Sequence, residues 1–341
     1  MFKIFKIILI TFTTILGIML LCLIIAYFSL SENYNPPQTV TQNKKLPYIQ
    51  LNGIKFHTHT YGNNSNQTII ILHSGPGNDF KNLLHLKNLS DKYFIVFYDQ
   101  RGSGLTQRVT SKQLTYHNYL SDIKEFVKQY SNNKKVILIG QSWGANLALY
   151  FTAQNPNLID KLILASPTAL NNQSLKILND KINSYKTPNF SNILNLILCW
   201  LKSLHVNGPD DNASKDFLMK EYIYNSENQH NPLSFYYGGK IPQTEKNIWR
   251  FGADASKFVI KSMLNPDGFY KNDLMMNFNE FLGETYIFTG SNDKITGTDF
   301  QLKQSSFYHF TKIIEIENCG HNFFSEKPNL SLQKIKEILY D

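Results

Sequence analysis

Cysteine is scarce in this chain: three in 341 residues, one of which, Cys22, lies inside an apolar N-terminal run. That excludes a disulfide-stapled scaffold. Cys199 and Cys319 are left as one possible pair in an oxidising compartment, although the apolar stretch around Cys199 reads as a small buried hydrophobe. No segment repeats itself, and low complexity is confined to an Asn-rich background. Adjacent basic residues occur only as Lys44-Lys45 and Lys134-Lys135, so the formal charge of +8 is spread thinly. A nucleic-acid partner needs a basic stripe and is not expected; diffuse charge suits solubility or weak attraction to anionic surfaces. His57 and His59 would share one face of a strand, yet no third ligand accompanies them, so no metal is expected.

Residues 7–28 are uncharged, with Lys3 and Lys6 before them and Glu32 after. As a helix this run extends about 33 Å, enough to cross a bilayer core. A secretory signal has a shorter apolar region and a small-residue cleavage site, for which Ser29-Leu30-Ser31 is only passable. Residues 1–30 are therefore read as a single-pass anchor, with a cleaved signal and a secreted product as the alternative. Lysines before the span and none in the dozen residues after it place the N-terminus inside and the rest outside the cytoplasm.

Residues 31–45 are polar, carry Pro36-Pro37, and read as a linker. Alternation around Asn52-Gly53 signals a hairpin. Short apolar runs follow at 68–72, 94–98, 136–139 and 162–165, with helical patterns at 116–130 and 145–153 between them. The rhythm resumes at 285–289 and 312–316 and closes with a helix from about residue 331. Strands alternating with helices predict a mostly parallel sheet covered on both faces. Between lie helical patterns at 191–206, 214–224 and 253–264. The expected organisation is an α/β core over 46–167 and 282–341, with a helical cap over 168–281 resting above the strand ends, where open α/β sheets bind ligands.

The most informative motif is Gly140-Gln141-Ser142-Trp143-Gly144, a G-x-S-x-G between a β-branched run and a helical segment. In that context the serine sits on a sharp elbow, hydroxyl exposed above the sheet. A serine hydroxyl needs a base, and the base needs a third group to orient it. In this fold type the order is Ser, Asp or Glu, then His. Asp293, in Gly290-Ser291-Asn292-Asp293, and His321, in Cys319-Gly320-His321, each follow a late strand and arrive at the same sheet edge as Ser142. Oxyanion donors are expected from the N–H of Trp143 and from Gly75 in His73-Ser74-Gly75-Pro76-Gly77.

Together with Asp99-Gln100-Arg101-Gly102-Ser103-Gly104, these motifs resemble the prolyl aminopeptidase (proline iminopeptidase) family of α/β-hydrolases. Ser74 departs from the usual H-G-G-P-G. The resemblance runs from about Leu46 to the C-terminus and thins in the cap. It implies an α/β-hydrolase fold and Ser142, Asp293 and His321 as catalytic residues. It also implies no metal or organic cofactor, and a short peptide substrate that loses its N-terminal residue. Asp99 and Arg101 are expected to tie loops together. Such aminopeptidases hold the substrate ammonium with cap carboxylates, often near W-x-x-W-E; here Ile248-Trp249-Arg250-Phe251-Gly252 has no acid at that place. Glu221, Glu227 and Glu245 are candidates by position, and Tyr236, Tyr237 and Trp249 either line an apolar pocket or belong to the core of the cap. The alternatives are an esterase or lipase-like hydrolase of small esters or amides and, more remotely, a binding protein on the same fold.

Overall fold

A computed structural model describes residues 2–185, 190–224, 233–237, 241, 243, 247–271, 278–305 and 311–340. Helix α1 (Phe2–Ser29) has no buried residue and a mean hydropathy of 2.8 over its most apolar window, and touches the domain near its C-terminal end, where His205 meets the Tyr27 carbonyl at 3.0 Å. Eight strands form one sheet: β1 (Tyr48–Leu51), β2 (Ile54–Tyr61), β3 (Thr68–Leu72), β4 (Phe94–Tyr98), β5 (Val136–Gln141), β6 (Ile159–Ala165), β7 (Glu284–Gly290) and β8 (Thr311–Ile316). Their order is β1-β2-β4-β3-β5-β6-β7-β8. The first two strands run antiparallel, joined through Asn52 and Gly53 at φ 49° and 71°, the left-handed pair that a tight hairpin requires. The remaining strands pair in parallel.

β3 shows why the apolar runs are continuous rather than alternating. Ile70 and Leu72 point into a core shared with α2 (Tyr116–Tyr130) and α3 (Trp143–Gln154), whereas Ile69 and Ile71 face a second core. A strand covered on both sides buries every side chain, each worth about 1.5–3 kcal/mol when fully buried. The second face is closed by residues 81–89, α9 (Phe323–Glu326) and α10 (Pro328–Tyr340). Between β6 and β7 the chain builds α4 (Asn172–Tyr185), α5 (Phe190–Ser203), α6 (Ala213–Tyr224) and α7 (Ala253–Met263); α8 (Thr298–Gln304) follows β7.

The 31–45 segment is not a free tether. Thr39 and Val40 are buried, and the Val40 N–H donates to the Leu105 carbonyl at 2.9 Å. Cys199 and Cys319 are separate free thiols, both buried, and burial pushes them up to about 11 and about 12. Neither is poised for thiolate chemistry.

Arg101 has a structural role, but it ties the loop after β4 to helix α2 rather than to another loop. Its guanidinium grips Asp122 of α2 in two bonds, 2.9 and 2.6 Å long, with 5% and 2% of the two side chains exposed. Removing one partner strands the other charge in the interior. Asp122→Ala is expected to cost about 3–5 kcal/mol, read as a lower urea midpoint at unchanged slope. Replacing both Arg101 and Asp122 by apolar residues of similar size should recover most of that loss.

Candidate active site

Ser142 sits where β5 turns into α3, at φ 51° and ψ −112°. A non-glycine residue held at positive φ persists only where its surroundings force it. The force comes from close packing: a Cβ on Gly144 would run into the Leu72 and His73 carbonyls, so helix and strand meet at backbone distance. The Ser142 N–H is tied to the Ala165 carbonyl at 2.7 Å, which holds the elbow against β6.

The fold brings the three expected side chains together from the ends of β5, β7 and β8. His321 Nε2 lies 2.9 Å from Ser142 Oγ, and His321 Nδ1 lies 2.8 Å from Asp293 Oδ2. Asp293 also accepts from the Ile295 and Thr296 N–H groups, both at 2.9 Å, and from the Thr296 hydroxyl at 2.6 Å. Burial raises the Asp293 pKa, but the neighbouring His321 and these donors outweigh it, and the carboxyl ends below its ordinary range. Asp293 therefore stays charged beside the imidazole. The arrangement can orient His321 and take the proton of the serine hydroxyl.

Gly75 and Trp143 line the same cavity as Ser142 and His321. Gly75 lies at φ 135°, and a Cβ there would come within 2.7 Å of the Gly77 nitrogen, so only glycine lets this loop turn so tightly. Ser74, the departure from the family motif, has a packing role. Its hydroxyl accepts from Asn78 Nδ2 at 2.8 Å, and Asn78 Oδ1 accepts from the Tyr224 hydroxyl of α6 at 2.6 Å. The loop after β3 is thus fastened to the cap.

Gln100 carries a role that sequence reasoning missed. Its N–H donates to His73 Nε2 at 2.9 Å, its side-chain amide to the His73 carbonyl at 2.8 Å, and its Oε1 accepts from the Trp143 indole at 2.9 Å. One glutamine therefore locks together the loop after β3, the loop after β4 and the residue that follows the nucleophile. Burial lowers the His73 pKa and keeps it neutral, as acceptance at Nε2 requires. The neighbouring Asp99 accepts from His57 Nδ1 at 2.7 Å, the Leu105 N–H at 2.8 Å and the Phe80 N–H at 3.1 Å, a structural node. The cap also reaches the histidine loop: the His321 N–H donates to the Tyr236 carbonyl at 3.2 Å, and the two rings lie 4.5 Å apart.

The cavity between core and cap measures about 390 Å³. Its apolar wall includes Leu175, Leu178, Tyr224, Tyr236, Tyr237 and Tyr270, and no Asp or Glu lines it among the described residues. Two expected substrate contacts lie elsewhere. Trp249 packs edge-on against Phe80 and His57, because its N–H is drawn to buried Asp79 behind the loop. Glu221 faces outward, 3.9 Å from Lys202, in a cleft with Tyr34. Glu227 and Glu245 lie outside the described residues. Where the family pattern has an acid after the tryptophan, buried Arg250 instead meets Asp210 at 2.6 Å and Asp216 at 2.8 Å. A wider surface groove of about 1070 Å³, containing Arg108, Lys215 and Asp254, holds none of Ser142, Asp293 or His321.

The chain belongs to the alpha/beta hydrolase fold family, which it matches over residues 67–328. Among proteins of that fold, the chain is similar to proline iminopeptidases. A proline iminopeptidase of Saccharolobus solfataricus is 23% identical over 308 residues, 87% of this chain and 93% of the relative. The solved proline iminopeptidase-related protein of Thermus thermophilus gives a TM-score of 0.59 at 16% identity, over 87% of this chain and 97% of its own. A membrane phospholipase A, described as a bacterial virulence factor, gives 0.61 at 14% identity, over 100% of this chain and 98% of its own. At these identities the solved structures establish the fold.

Gln100→Leu removes the lock while keeping the side chain's bulk. Labelling of Ser142 by a fluorophosphonate is expected to slow by about 10–100-fold, the scale of a misplaced site. The near-ultraviolet circular dichroism should remain native.

Proposed function

We propose that the protein is a membrane-anchored serine hydrolase whose preferred substrates are neutral, largely apolar carboxylic esters. The observation that carries this reading is the cavity, which opens on Ser142 and His321 with an apolar lining and no carboxylate among its described walls. In the proposed reaction, His321 Nε2 takes the Ser142 proton as Oγ bonds to the acyl carbon. The carbonyl electron pair moves onto oxygen, where the Gly75 and Trp143 N–H groups receive it. Collapse breaks the ester C–O bond, and the imidazolium returns its proton to the departing alcohol. Water, deprotonated by His321, then attacks the acyl-enzyme; the acid leaves and Ser142 recovers its proton. Asp293 stays ionised throughout and holds Nδ1.

A second reading, release of N-terminal residues from short peptides, is favoured by the motifs and by the proline iminopeptidases among the relatives. That chemistry brings an ammonium into a closed pocket, where an unpaired charge costs several kcal/mol. A carboxylate partner would have to come from Glu227, Glu245 or another residue outside the described set, since Glu221 faces away.

Anchoring through α1 is supported by its 28-residue length and by the solved membrane phospholipase A, whose match takes in the whole chain. The lysines preceding the span favour a catalytic domain outside the cytoplasm.

The chemistry is tested with three substrates on one preparation: a short-chain aryl ester, a proline arylamide with a free amine, and the same arylamide N-acetylated. Ester cleavage that is indifferent to amine blocking is expected, with fluorophosphonate labelling lost in Ser142→Ala. Preference for the free amine would replace this reading by the peptidase one, and an unlabelled, folded wild type would remove both.

Topology is tested by reporters fused after the last residue. One that functions only outside the cytoplasm should be active, and one that needs the cytoplasm silent.

A further inference from the structure

The outer face of the cap is strongly apolar. Along α5, Phe190, Ile193, Leu194, Leu196, Trp200 and Leu204 just beyond its end are 42–77% exposed, while Cys199 and Leu201 are buried. Phe190, Ile193, Trp200 and Leu204 fall at helical spacing and form one continuous stripe. Soluble surfaces rarely expose a contiguous patch of this kind without a partner. The chain itself indicates the partner, because the stripe adjoins the end of α1. His205, two residues past α5, donates from Nε2 to the Tyr27 carbonyl of α1 at 3.0 Å, and their rings stack 4.2 Å apart. The Asn207 N–H donates to the Tyr34 carbonyl at 3.1 Å, and the Tyr34 ring rests 4.6 Å from Phe217 of α6. The cap is thereby fastened to the point at which the proposed membrane helix leaves its apolar span.

We propose that the exposed face of α5 lies in the headgroup–acyl boundary of the bilayer crossed by α1, and that the cap receives acyl esters directly from that bilayer. An interfacial helix needs an apolar face of this width, and a tryptophan on it sits at headgroup level. Here α5 is held in place by packing on α6, and α6 in turn supplies Ile223 and Tyr224 to the cavity above Ser142. The membrane face and the cavity wall are therefore one helix layer apart. The docking rests on α1 being retained as an anchor. The delivery of substrate rests further on the hydrolase reading.

The chain's three tryptophans make the docking measurable. Trp143 is buried in the core and Trp249 is packed against Phe80, so Trp200 alone stands on the stripe. The full-length protein is reconstituted in phosphatidylcholine–phosphatidylglycerol vesicles with or without bromine on the acyl chains. Emission should fall on the brominated vesicles, and Trp200→Phe should abolish the fall. Undiminished emission, or an equal fall in Trp200→Phe, overturns the proposal. Protection of Trp200 together with a dimer in detergent that Ile193→Glu dissociates overturns it in favour of a second copy. The double variant Ile193→Glu with Leu204→Glu should lose hydrolysis of a vesicle-embedded ester while retaining that of a soluble one. Equal retention of both overturns delivery from the bilayer. Quenching of Trp200 in a protein that cleaves neither ester would sink the hydrolase reading and leave the docking intact.

Discussion

The backbone approach of α3 to β3 is the constraint from which the site follows. With no side chain on Gly144, the helix comes close enough to the Leu72 carbonyl that the chain leaving β5 must reverse within one residue. That residue, Ser142, takes a positive φ, a conformation costing about 1–3 kcal/mol for a residue with a Cβ. The cost is offset by the packing of α3, whose first ten residues are all buried. The strain projects the hydroxyl from the sheet, and the first turn of α3 presents the Trp143 amide beside it. A looser crossing would give an ordinary strand-to-helix turn and a serine that does not reach the cavity.

Around that elbow the molecule is held by a few buried polar nodes, each of which spans elements remote in sequence. Gln100 couples the loops after β3 and β4 to the start of α3, and Asp99 couples β2 to the segments on both sides of it. Arg250 joins Asp210 and Asp216 to the Pro37 carbonyl, so the cap and the segment that follows α1 share one ionic centre. Arg108 reaches the same Asp216 at 3.0 Å. Buried charges of this kind are stable only when each is matched, which makes the cap's seat specific rather than adaptable. Together with the Tyr236–His321 contact, this sets the cap over the nucleophile.

The cavity's chemistry and the surface of the cap point the same way. Apolar walls around Ser142 suit an uncharged substrate. The apolar outer stripe on α5 and the attachment of the cap to the end of α1 suit the proposed delivery of substrate from a bilayer. A soluble peptide with a free ammonium would need carboxylates; Asp210, Asp216, Glu221 and Asp254 of the cap are engaged with Arg108, Arg250 and lysines, and no described acid lines the cavity.

Local sequence determined a good deal. Unbroken apolar runs placed β3 and β4 to the residue, because each strand buries both faces. The G-x-S-x-G spacing located the elbow that carries Ser142, and strand-end position placed Asp293 and His321 beside it, because parallel strands deliver such residues to one edge. Other features depended on contacts that no local pattern records. Gln100 looks like any polar residue in a loop until His73 and Trp143 close around it. Trp249 could have walled the pocket or packed in the cap, yet the pull of Asp79 on its backbone holds it half-buried against Phe80, away from the cavity over Ser142. Glu221 looked like a cap acid, but Lys202 lies one helix away and keeps it at the surface. The packing of α5 on α6 left an apolar stripe outside, a division of one helix into buried and exposed apolar faces that composition does not reveal. Periodicity and covalent spacing act within a few residues and are written in the sequence. Partner choice among buried polar groups is decided only when distant segments meet.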